Sequence, residues 1–441
     1  MYIGFYSYAA YVFSLSRDGG ATPPHLFEGI WTMNSSSSTR PEPAARRPWL
    51  AVSAVGLATF SVVTTEMLPV GLLTSIAGSL GTSMGRAGLM ISLPALLAAL
   101  FAPLVVMAAG GMDRRRILCG LLALLVLANL ASALAPSLIW LLAARVLVGF
   151  CMGGIWAIAG GLAARLVPQA SMGLATSIIF GGVAAASVLG VPLGALIGDF
   201  AGWRWAFGGM AGFSALVLAL HMAVLPALPA TGSASLRQFS HQLANRRLQA
   251  GLALTLLLVA GHFMSFTFVR PLLLTVSGFD AQWMSALLLA YGIAGIAGNF
   301  LAGIIAARRT VPSLAAIAMG LLLAPVLFLS VGDSPTGGGA VLLVWGLAYG
   351  GVSVGLMTWM MQAAPRAVEI ATALYVGVFN IGIALGSWAG GQLVDGWGLH
   401  ATLWLSGGFA AAALLLSAAM GLAGTGSKAD WGHQQAKNHQ V

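Results

Sequence analysis

Charge is the scarcest property of this 441-residue sequence. Only 7% of its residues are charged, whereas 59% are hydrophobic, and the mean hydropathy is +0.92. Soluble domains carry about 25% charged residues, so this chain lacks the charge that would cover a water-exposed surface of its size. The composition excludes an ordinary soluble protein and predicts a protein whose surface faces lipid.

Cysteine is nearly absent as well, because only Cys119 and Cys151 occur and both lie in apolar runs. Two such residues predict neither a disulfide framework nor a metal cluster. The net charge of +9 would suit nucleic-acid binding if it formed a patch. The basic residues are instead scattered through short segments between apolar runs, which is typical of membrane topology signals. We therefore expect no nucleic-acid partner.

Motifs for nucleotide hydrolysis and for membrane-embedded catalysis are also missing. The sequence has no G-x-x-x-x-G-K-[ST] loop, and it has no cluster of His, Asp and Glu of the kind that an embedded acyltransferase needs. We predict no ATP use, no cofactor and no enzymatic activity. A sensor without transport activity would usually carry a signalling domain, whereas fewer than 20 residues follow Gly424.

The sequence does contain a series of long apolar runs. Each is continuous for about 20 residues, which a helix needs to cross a hydrocarbon core of roughly 30 Å, whereas barrel strands alternate apolar and polar residues. The pattern predicts an all-α membrane protein with 12 transmembrane helices. They lie near residues 49–73, 87–110, 117–135, 138–163, 172–198, 205–225, 250–272, 284–306, 313–331, 340–362, 371–393 and 400–422.

A longer polar segment divides these runs into two groups of six. The predicted organisation is an N-terminal extension (1–48), a six-helix half (49–226), a central loop (227–249), a second six-helix half (250–423) and a tail (424–441). Residues 1–32 resemble neither a signal peptide nor an ordinary cytoplasmic tail. We expect Met33 to be the true start and residues 1–32 to come from an over-extended reading frame.

Arginine is distributed unevenly between the two sides of the predicted bundle. If the N-terminus is cytoplasmic, the opposite side carries only Arg86 and Arg204. The short cytoplasmic loops then carry Arg114, Arg115, Arg116, Arg165, Arg237, Arg246, Arg247, Arg308, Arg309 and Arg366. Because basic residues favour the cytoplasmic side, both termini are predicted to be cytoplasmic.

The two groups of six runs repeat each other with an offset close to 196. The stretch Gly149-Phe-Cys-Met-Gly-Gly154 recurs as Gly346-Leu-Ala-Tyr-Gly-Gly351. Runs 1 and 7 each carry a proline near the outer end, and we expect both helices to break there. The fifth run and its counterpart share Gly190, Gly194, Asp199 and Gly202 with Gly386, Gly390, Asp395 and Gly398. Two parallel halves of this kind are typical of transporters whose substrate site lies between the halves.

Two charged residues stand deep inside apolar runs, where a charge costs several kcal/mol and commonly marks a functional site. Glu66 lies about 26 Å along run 1 from its cytoplasmic end, and Arg145 lies about 10 Å along run 4 from the opposite side. Their similar depth allows them to pair if helices 1 and 4 are neighbours. Glu66 is interpreted as a group that binds a proton or a cationic substrate, and Arg145 as the residue that tunes it. The alternative is a permanent ion pair that locks the two helices together.

Other polar and aromatic residues at membrane depth are candidates for a substrate cavity. An aromatic cavity could stack on a planar ligand, although single aromatic residues more often serve packing. We expect Arg270, at the outer end of run 7, to reach the interface by snorkelling. The predicted cavity residues are Trp156, His262, Phe266, Tyr349, Trp359 and Asn380.

Several segments resemble signatures of the major facilitator transporters. The sequence Asp113-Arg114-Arg115-Arg116 is similar to a truncated form of their loop signature, without the Gly that usually follows Asp-Arg. Leu141 to Gly149, with Arg145 at its centre, resembles the signature of the fourth helix. These resemblances imply the major facilitator fold, with Asp113, Arg114 and Arg115 acting in conformational change.

The fifth run resembles the antiporter signature of exporters. It contains Gly190-Val-Pro192-Leu-Gly194, in which Val191 interrupts the usual Gly-Pro. The stretch from Trp49 to Leu422 as a whole resembles the drug:proton antiporter-1 family, and within it the sugar-efflux and purine-nucleoside-efflux branch. The resemblance implies a role for Gly190, Pro192 and Gly194 in conformational change.

The resulting interpretation is a monomeric, proton-coupled antiporter in the inner membrane of a bacterium. It would export a small organic solute, with a purine nucleoside or a related metabolite or drug as the first candidate. Its expected partners are the substrate, protons and the lipid bilayer. The alternatives that stay open are a sugar or multidrug exporter and an uptake symporter on the same fold.

Overall fold

The computed structural model describes residues 48–438, with gaps at 109–111, 169–170, 230–241 and 366. Within these residues the chain forms helices and no strand, and 12 of the helices are long and apolar enough to cross a membrane. The predicted all-α membrane fold is therefore confirmed. The expectation about Met33 and residues 1–32 lies outside the described residues, and the domain boundaries stay predictions.

The 12 spanning helices follow the apolar runs closely, because continuous apolar sequence is what makes a helix stable in lipid. They are α1 (Pro48–Ser79), α2 (Met84–Ala108), α3 (Arg114–Ala133), α4 (Leu138–Leu166), α5 (Met172–Ala185 and Val191–Ala201), α6 (Trp203–Val224), α7 (Arg246–Phe266), α8 (Met284–Arg308), α9 (Thr310–Val331), α10 (Pro335–Ala363), α11 (Val368–Trp397) and α12 (Leu399–Asn438).

Two of these helices depart from regular α geometry. A π-helical turn at Ala186–Gly190 joins the two parts of α5. Helix α7 ends at Phe266 and is followed by a short helix at Val269–Pro271 and a π-helical turn at Leu272–Val276. Such π turns within helices frequently occur at functional sites.

The two prolines that were expected to break helices act differently. Helix α7 does stop before Pro271, but α1 continues through Pro69 to Ser79. A proline inside a helix leaves the carbonyl four residues earlier without its usual N–H donor. In α1 that carbonyl belongs to Thr65, and it receives a hydrogen bond from another helix, described below. The prediction of a break was correct for α7 and wrong for α1.

The sequence repeat is visible in the helix packing. In the first half, Gly190 and Gly194 of α5 lie against Thr64 and Leu68 of α1, so closely that a Cβ atom would collide. In the second half the same contacts are made by Gly386 and Gly390 of α11 against Ala260 and Met264 of α7. Each residue of the second set lies 196 positions after its counterpart. The glycines therefore form equivalent grooves for α1 and α7, which supports a chain of two related halves.

The halves meet along α2 with α11 and along α8 with α5. The end of the bundle that carries the α1–α2 connection (80–83) and the α11–α12 connection (Gly398) is called the distal end. At this end Gly85 of α2 and Gly391 of α11 bring the two backbones into contact. At the contact between α8 and α5, Gly292 of α8 lies against Val188 in the π turn of α5.

Candidate functional site

Arg145 of α4 is fully buried and holds the middle of α1. Its Nη1 donates to the Thr65 carbonyl at 2.8 Å, its Nη2 donates to the Glu66 carbonyl at 2.9 Å, and its Nε donates to the Met90 carbonyl of α2 at 3.0 Å. Because Pro69 cannot donate to Thr65, Arg145 supplies the missing donor. Arg145 thus joins α1, α2 and α4 and positions the turn that carries Glu66.

Glu66 is buried without solvent exposure between this arginine and the interface of the halves. Sequence reasoning expected Arg145 and Glu66 to lie together, and they do. The hydrogen bonds that Arg145 makes here end on backbone carbonyls of α1. The next residue of α1, Met67, lines a cavity between the halves together with Tyr349 of α10. The buried carboxylate therefore lies one residue away from the interface of the halves.

A polar network surrounds the same turn of α1. The Asn129 side chain of α3 donates to the Thr65 hydroxyl at 3.0 Å. The hydroxyls of Ser61 and Ser214 share a hydrogen bond of 2.8 Å between α1 and α6. These bonds stabilise the turn before Glu66 from the side opposite to the interface. Asn129 is thereby an interhelical hydrogen-bonding residue, which is its usual function in membrane helices.

A cavity of about 110 Å³ lies between the halves, and Met67, the residue after Glu66, is part of its lining. Ligand pockets usually occupy about 300–1,000 Å³, so the halves must separate further before a ligand of ordinary size can fit. Its walls are mostly apolar and aromatic, which suits a ligand with a flat apolar face. The lining residues are Met67, Ser187, Val188, Val191, Phe263, Phe266, Leu288, Tyr291, Gly292, Gly295, Ile296, Gly346, Tyr349, Gly350, Ser353, Phe379 and Ile383.

Four aromatic rings of the second half form one stack, and Phe266, Tyr291 and Tyr349 of this stack line the cavity. His262 lies against Tyr349 with 3.5 Å between ring centroids, and against Phe266 with 4.7 Å. Phe266 in turn lies 4.7 Å from Tyr291. Trp345 donates its indole N–H to Nδ1 of His262 at 3.0 Å, which makes Nδ1 an acceptor and leaves the proton of a neutral ring on Nε2. The stack is thus built from α7, α8 and α10.

Polar contacts between the halves close the distal end of the cavity. Arg270, which follows α7, donates to the Thr74 hydroxyl at 2.8 Å and to the Gly71 carbonyl at 2.7 Å, both in α1. Its Nη2 forms a salt bridge with Asp199 at the end of α5. The expectation that Arg270 snorkels was wrong, because its side chain is only 3% exposed and an acidic partner from the other half satisfies it. Arg270, Asp199 and Thr74 are called the distal latch.

A second polar contact between the halves lies beside the distal latch. Its acidic residue belongs to the second half, whereas the acidic residue of the distal latch belongs to the first. Asp395 at the end of α11 accepts a hydrogen bond from the Gly85 N–H at 2.9 Å and another from the Ser83 hydroxyl, both in the first half. Asp395 is the repeat counterpart of Asp199, and Arg270 is the counterpart of Thr74, 196 residues earlier. The structure described is therefore one in which the distal side is closed.

Two equivalent halves of six helices, with a cavity between them, can now be compared with known proteins. A family model described as the Major Facilitator Superfamily matches residues 55–375. The chain belongs to the Major Facilitator Superfamily. It is therefore a multi-pass membrane transporter and not an enzyme.

Two curated relatives match nearly the whole chain. The purine ribonucleoside efflux pump NepI of Salmonella paratyphi A is 33% identical over 386 residues, covering 88% of this chain and 97% of its own. The transcription regulatory protein OpdE of Pseudomonas aeruginosa is 33% identical over 392 residues, covering 88% of this chain and 96% of its own.

Solved structures show the same fold at low sequence identity. A bacterial homolog of the human lysosomal transporter Spinster has a TM-score of 0.70 at 17% identity, covering 84% of this chain and 96% of that one. The human organic anion transporter MFSD10 has a TM-score of 0.61 at 20% identity, covering 84% of this chain and 99% of that one.

The structure places the six predicted cavity residues of this transporter in different positions. Phe266 and Tyr349 line the cavity, and His262 is stacked behind them. Trp359 lies outside the lining, because its indole N–H donates to the Arg247 carbonyl at 3.0 Å and joins α10 to the start of α7.

Trp156 and Asn380 also lie outside the lining. Trp156 of α4 is stacked on Phe180 of α5, with 5.9 Å between ring centroids, and so joins two helices of the first half. Asn380 is buried and donates to the Val376 carbonyl of its own helix at 2.9 Å. Sequence reasoning missed Tyr291, since a tyrosine in an apolar run gives no signal that separates a cavity residue from a packing residue.

The loop signature of the superfamily lies at the opposite end of the bundle. Asp113 caps α3 by accepting from the Arg115 N–H at 2.8 Å, and it also accepts from the Leu228 N–H at 3.1 Å. The Arg114 N–H donates to the Leu228 carbonyl at 2.8 Å, and the Arg115 guanidinium donates to the Met222 carbonyl at 2.6 Å. These contacts fix the start of α3 to the end of α6 and to the segment that follows it.

The antiporter signature lies against α1, next to Glu66. Gly190 contacts Thr64 and Gly194 contacts Leu68, and Pro192 is the second residue after the π turn. The π turn also contributes Ser187 and Val188 to the cavity. The signature therefore connects the cavity wall to the α1 segment that carries the buried carboxylate.

Proposed function

We propose that this transporter exports a purine nucleoside, or a closely related metabolite, in exchange for protons that Glu66 carries. The observation that carries the proposal is the fully buried carboxylate of Glu66 in α1, one residue before Met67 in the lining of an aromatic cavity at the interface of the halves. Ionisable groups inside a helix bundle usually mark an ion pathway. The efflux pump that is 33% identical over nearly its whole length supports the substrate class.

In the proposed cycle the transporter binds the substrate and the proton alternately. We take the distal end as the periplasmic side, which the arginine distribution favours. Substrate would enter the cavity from the cytoplasm, and opening of the distal latch would expose it to the periplasm. Protonation of Glu66 there would favour release of the substrate, and loss of the proton to the cytoplasm would reset the carrier. Arg145 would hold the turn that carries Glu66 throughout the cycle.

The matched OpdE relative gives a second candidate function, since its name describes a regulator of transcription. The cavity, the buried carboxylate and the latch all favour transport for this chain. A sugar exporter, a multidrug exporter and an uptake symporter on the same fold are the remaining alternatives.

Transport into inverted membrane vesicles tests the proposal. With an acidic vesicle interior, an antiporter accumulates labelled inosine, whereas a symporter does not. We expect Glu66→Gln to abolish accumulation driven by the pH gradient but to keep exchange of labelled for unlabelled inosine, because exchange needs no net proton movement. The matched control is Asp333→Asn, which removes an exposed carboxylate between α9 and α10.

The outcomes separate the parts of the proposal. Loss of both accumulation and exchange in Glu66→Gln would mean that Glu66 is structural. Accumulation that survives the substitution would place the proton site elsewhere. No accumulation of inosine by the unaltered protein, together with accumulation of pentoses or lipophilic drugs, would replace the proposed substrate by one of the alternatives.

A further inference from the structure

Tyr291 of α8 combines burial, a place in the cavity wall and a phenol oxygen that still has bonding capacity. The residue is 9% exposed and lines the cavity between the halves. Within the described part of the chain, no group lies within hydrogen-bonding distance of its buried oxygen. A buried hydroxyl normally has a partner, so a ligand in this cavity is the natural source of one.

The position of the phenol ring is fixed by packing on both the ring and the backbone. The ring is stacked on Phe266 at 4.7 Å with an angle of 27° between the planes. Gly346 of α10 lies so close to the Tyr291 carbonyl that a Cβ atom there would be 2.5 Å from it, and the following Gly292 lies against Val188 of the α5 π turn. The hydroxyl is therefore held in place at the contact between α8 and the other half.

The rest of the cavity offers few groups that could bind the polar edge of a ligand. Its walls are mainly apolar, and besides Tyr291 the side chains with hydroxyl groups in the lining are Ser187, Tyr349 and Ser353. A phenol can donate one hydrogen bond and accept others. This set suits a flat molecule with an apolar face and with nitrogen or oxygen atoms at its edge.

We propose that Tyr291 determines the specificity of this transporter for planar nitrogen heterocycles, by hydrogen bonding to a polar group on the edge of the base. The inference rests on the proposed export of purine nucleosides and names a residue that distinguishes them from other solutes. A sugar without a base has no flat aromatic ring to lie parallel to these side chains, and its many hydroxyls would meet mainly apolar walls. A flat ligand without an edge group leaves the phenol unpaired, which disfavours its binding.

Exchange of labelled inosine in vesicles, measured over a range of concentrations, tests this role. Tyr291→Phe keeps the stacked ring and removes only the hydroxyl. We expect its KM for inosine to rise about tenfold, as for the loss of one buried hydrogen bond, while the maximal exchange rate stays near that of the unaltered protein. Tyr375→Phe is the matched control, because Tyr375 is a fully buried tyrosine of α11 that does not line the cavity.

Analogues identify the group on the ligand. Competition by purine riboside, 7-deazainosine and 2′-deoxyinosine is compared between the unaltered protein and Tyr291→Phe. Purine riboside lacks the 6-oxo group, 7-deazainosine lacks N7, and 2′-deoxyinosine lacks a ribose hydroxyl. One of the two base analogues should compete equally well in Tyr291→Phe and in the unaltered protein, since that analogue lacks the group that pairs with the phenol.

The outcomes separate the role of Tyr291 from the proposed export of nucleosides. If the unaltered protein exchanges inosine and Tyr291→Phe has the same KM, the role of Tyr291 is refuted while the proposed function stands. The role of Tyr291 is also refuted if both base analogues compete tenfold more weakly in Tyr291→Phe than in the unaltered protein. It is refuted as well if 2′-deoxyinosine is the analogue whose competition the substitution leaves unchanged. If the unaltered protein exchanges no nucleoside, the proposed function and this inference fail together. A midpoint of thermal unfolding, measured for Tyr291→Phe, verifies that the variant is folded. The strengths of competition by the three analogues relative to inosine, measured with the unaltered protein, give a second readout that needs no variant.

Discussion

The distal latch gives the sharpest prediction about conformation. Arg270 connects the halves through Thr74, Gly71 and Asp199, so Arg270→Ala should favour the state in which the distal end is open. Breaking a buried charge pair costs about 3–5 kcal/mol. Because Asp199 is 22% exposed, we take the lower limit of about 3 kcal/mol, which corresponds to a change of roughly 100-fold in the ratio of the two states.

Cysteine labelling in intact cells measures this ratio. Ser187 lines the cavity, and Ser187→Cys is introduced into a chain whose Cys119 and Cys151 are replaced by Ala. With the proposed orientation, in which the distal end faces the periplasm, a membrane-impermeant maleimide from outside reaches position 187 only when the distal end opens. We expect slow labelling with Arg270 present and much faster labelling with Arg270→Ala, together with weaker export.

Two control experiments follow from the contacts that the arginines make at the distal end. Arg204 is also at the distal end, but it donates to the Ala135 carbonyl within its own half at 3.1 Å, so Arg204→Ala should leave the labelling rate unchanged. Exchanging the charges, with Arg270→Asp and Asp199→Arg together, should restore part of the slow labelling. An unchanged labelling rate in Arg270→Ala would refute the idea that this cluster holds the distal end closed.

Two further predictions concern packing. Arg145→Met should lower the stability of the protein less when Pro69→Ala is also present, by about 1 kcal/mol, because the new N–H can then donate to the Thr65 carbonyl. Midpoints of thermal unfolding for the four proteins of this cycle measure the difference, and equal losses in both backgrounds would contradict the assignment. Gly182→Ala should lower the unfolding midpoint and the transport rate, since its Cβ would collide with the Gly56 carbonyl of α1, and overpacking costs about 1–3 kcal/mol. Gly212→Ala, where a Cβ meets open space, is its control, and a similar loss in both variants would show that the groove in α5 is not needed.

The amino-acid sequence by itself determined the fold class, the 12 helices and the relation between the two halves. These properties depend on local composition: a run of about 20 apolar residues spans the bilayer as a helix whatever its neighbours are. The repeat could be read because its glycines serve close packing, and Gly190 and Gly386 do so against α1 and α7 in the same way. The family signatures around Asp113 and Arg145 were also visible, because each is a short continuous stretch of sequence.

The tertiary structure decided which side chains meet. A membrane helix such as α1 is apolar on every face, so its sequence carries no amphipathic pattern to show which face is turned inward. For this reason the sequence could not show that Arg145 completes α1 at Pro69, or that Arg270 pairs with Asp199 instead of snorkelling. The rotation of each helix about its axis also placed Tyr291 in the cavity wall and Trp359 outside it. That rotation is fixed by the contacts of all neighbouring helices together, and it exists only in the folded bundle.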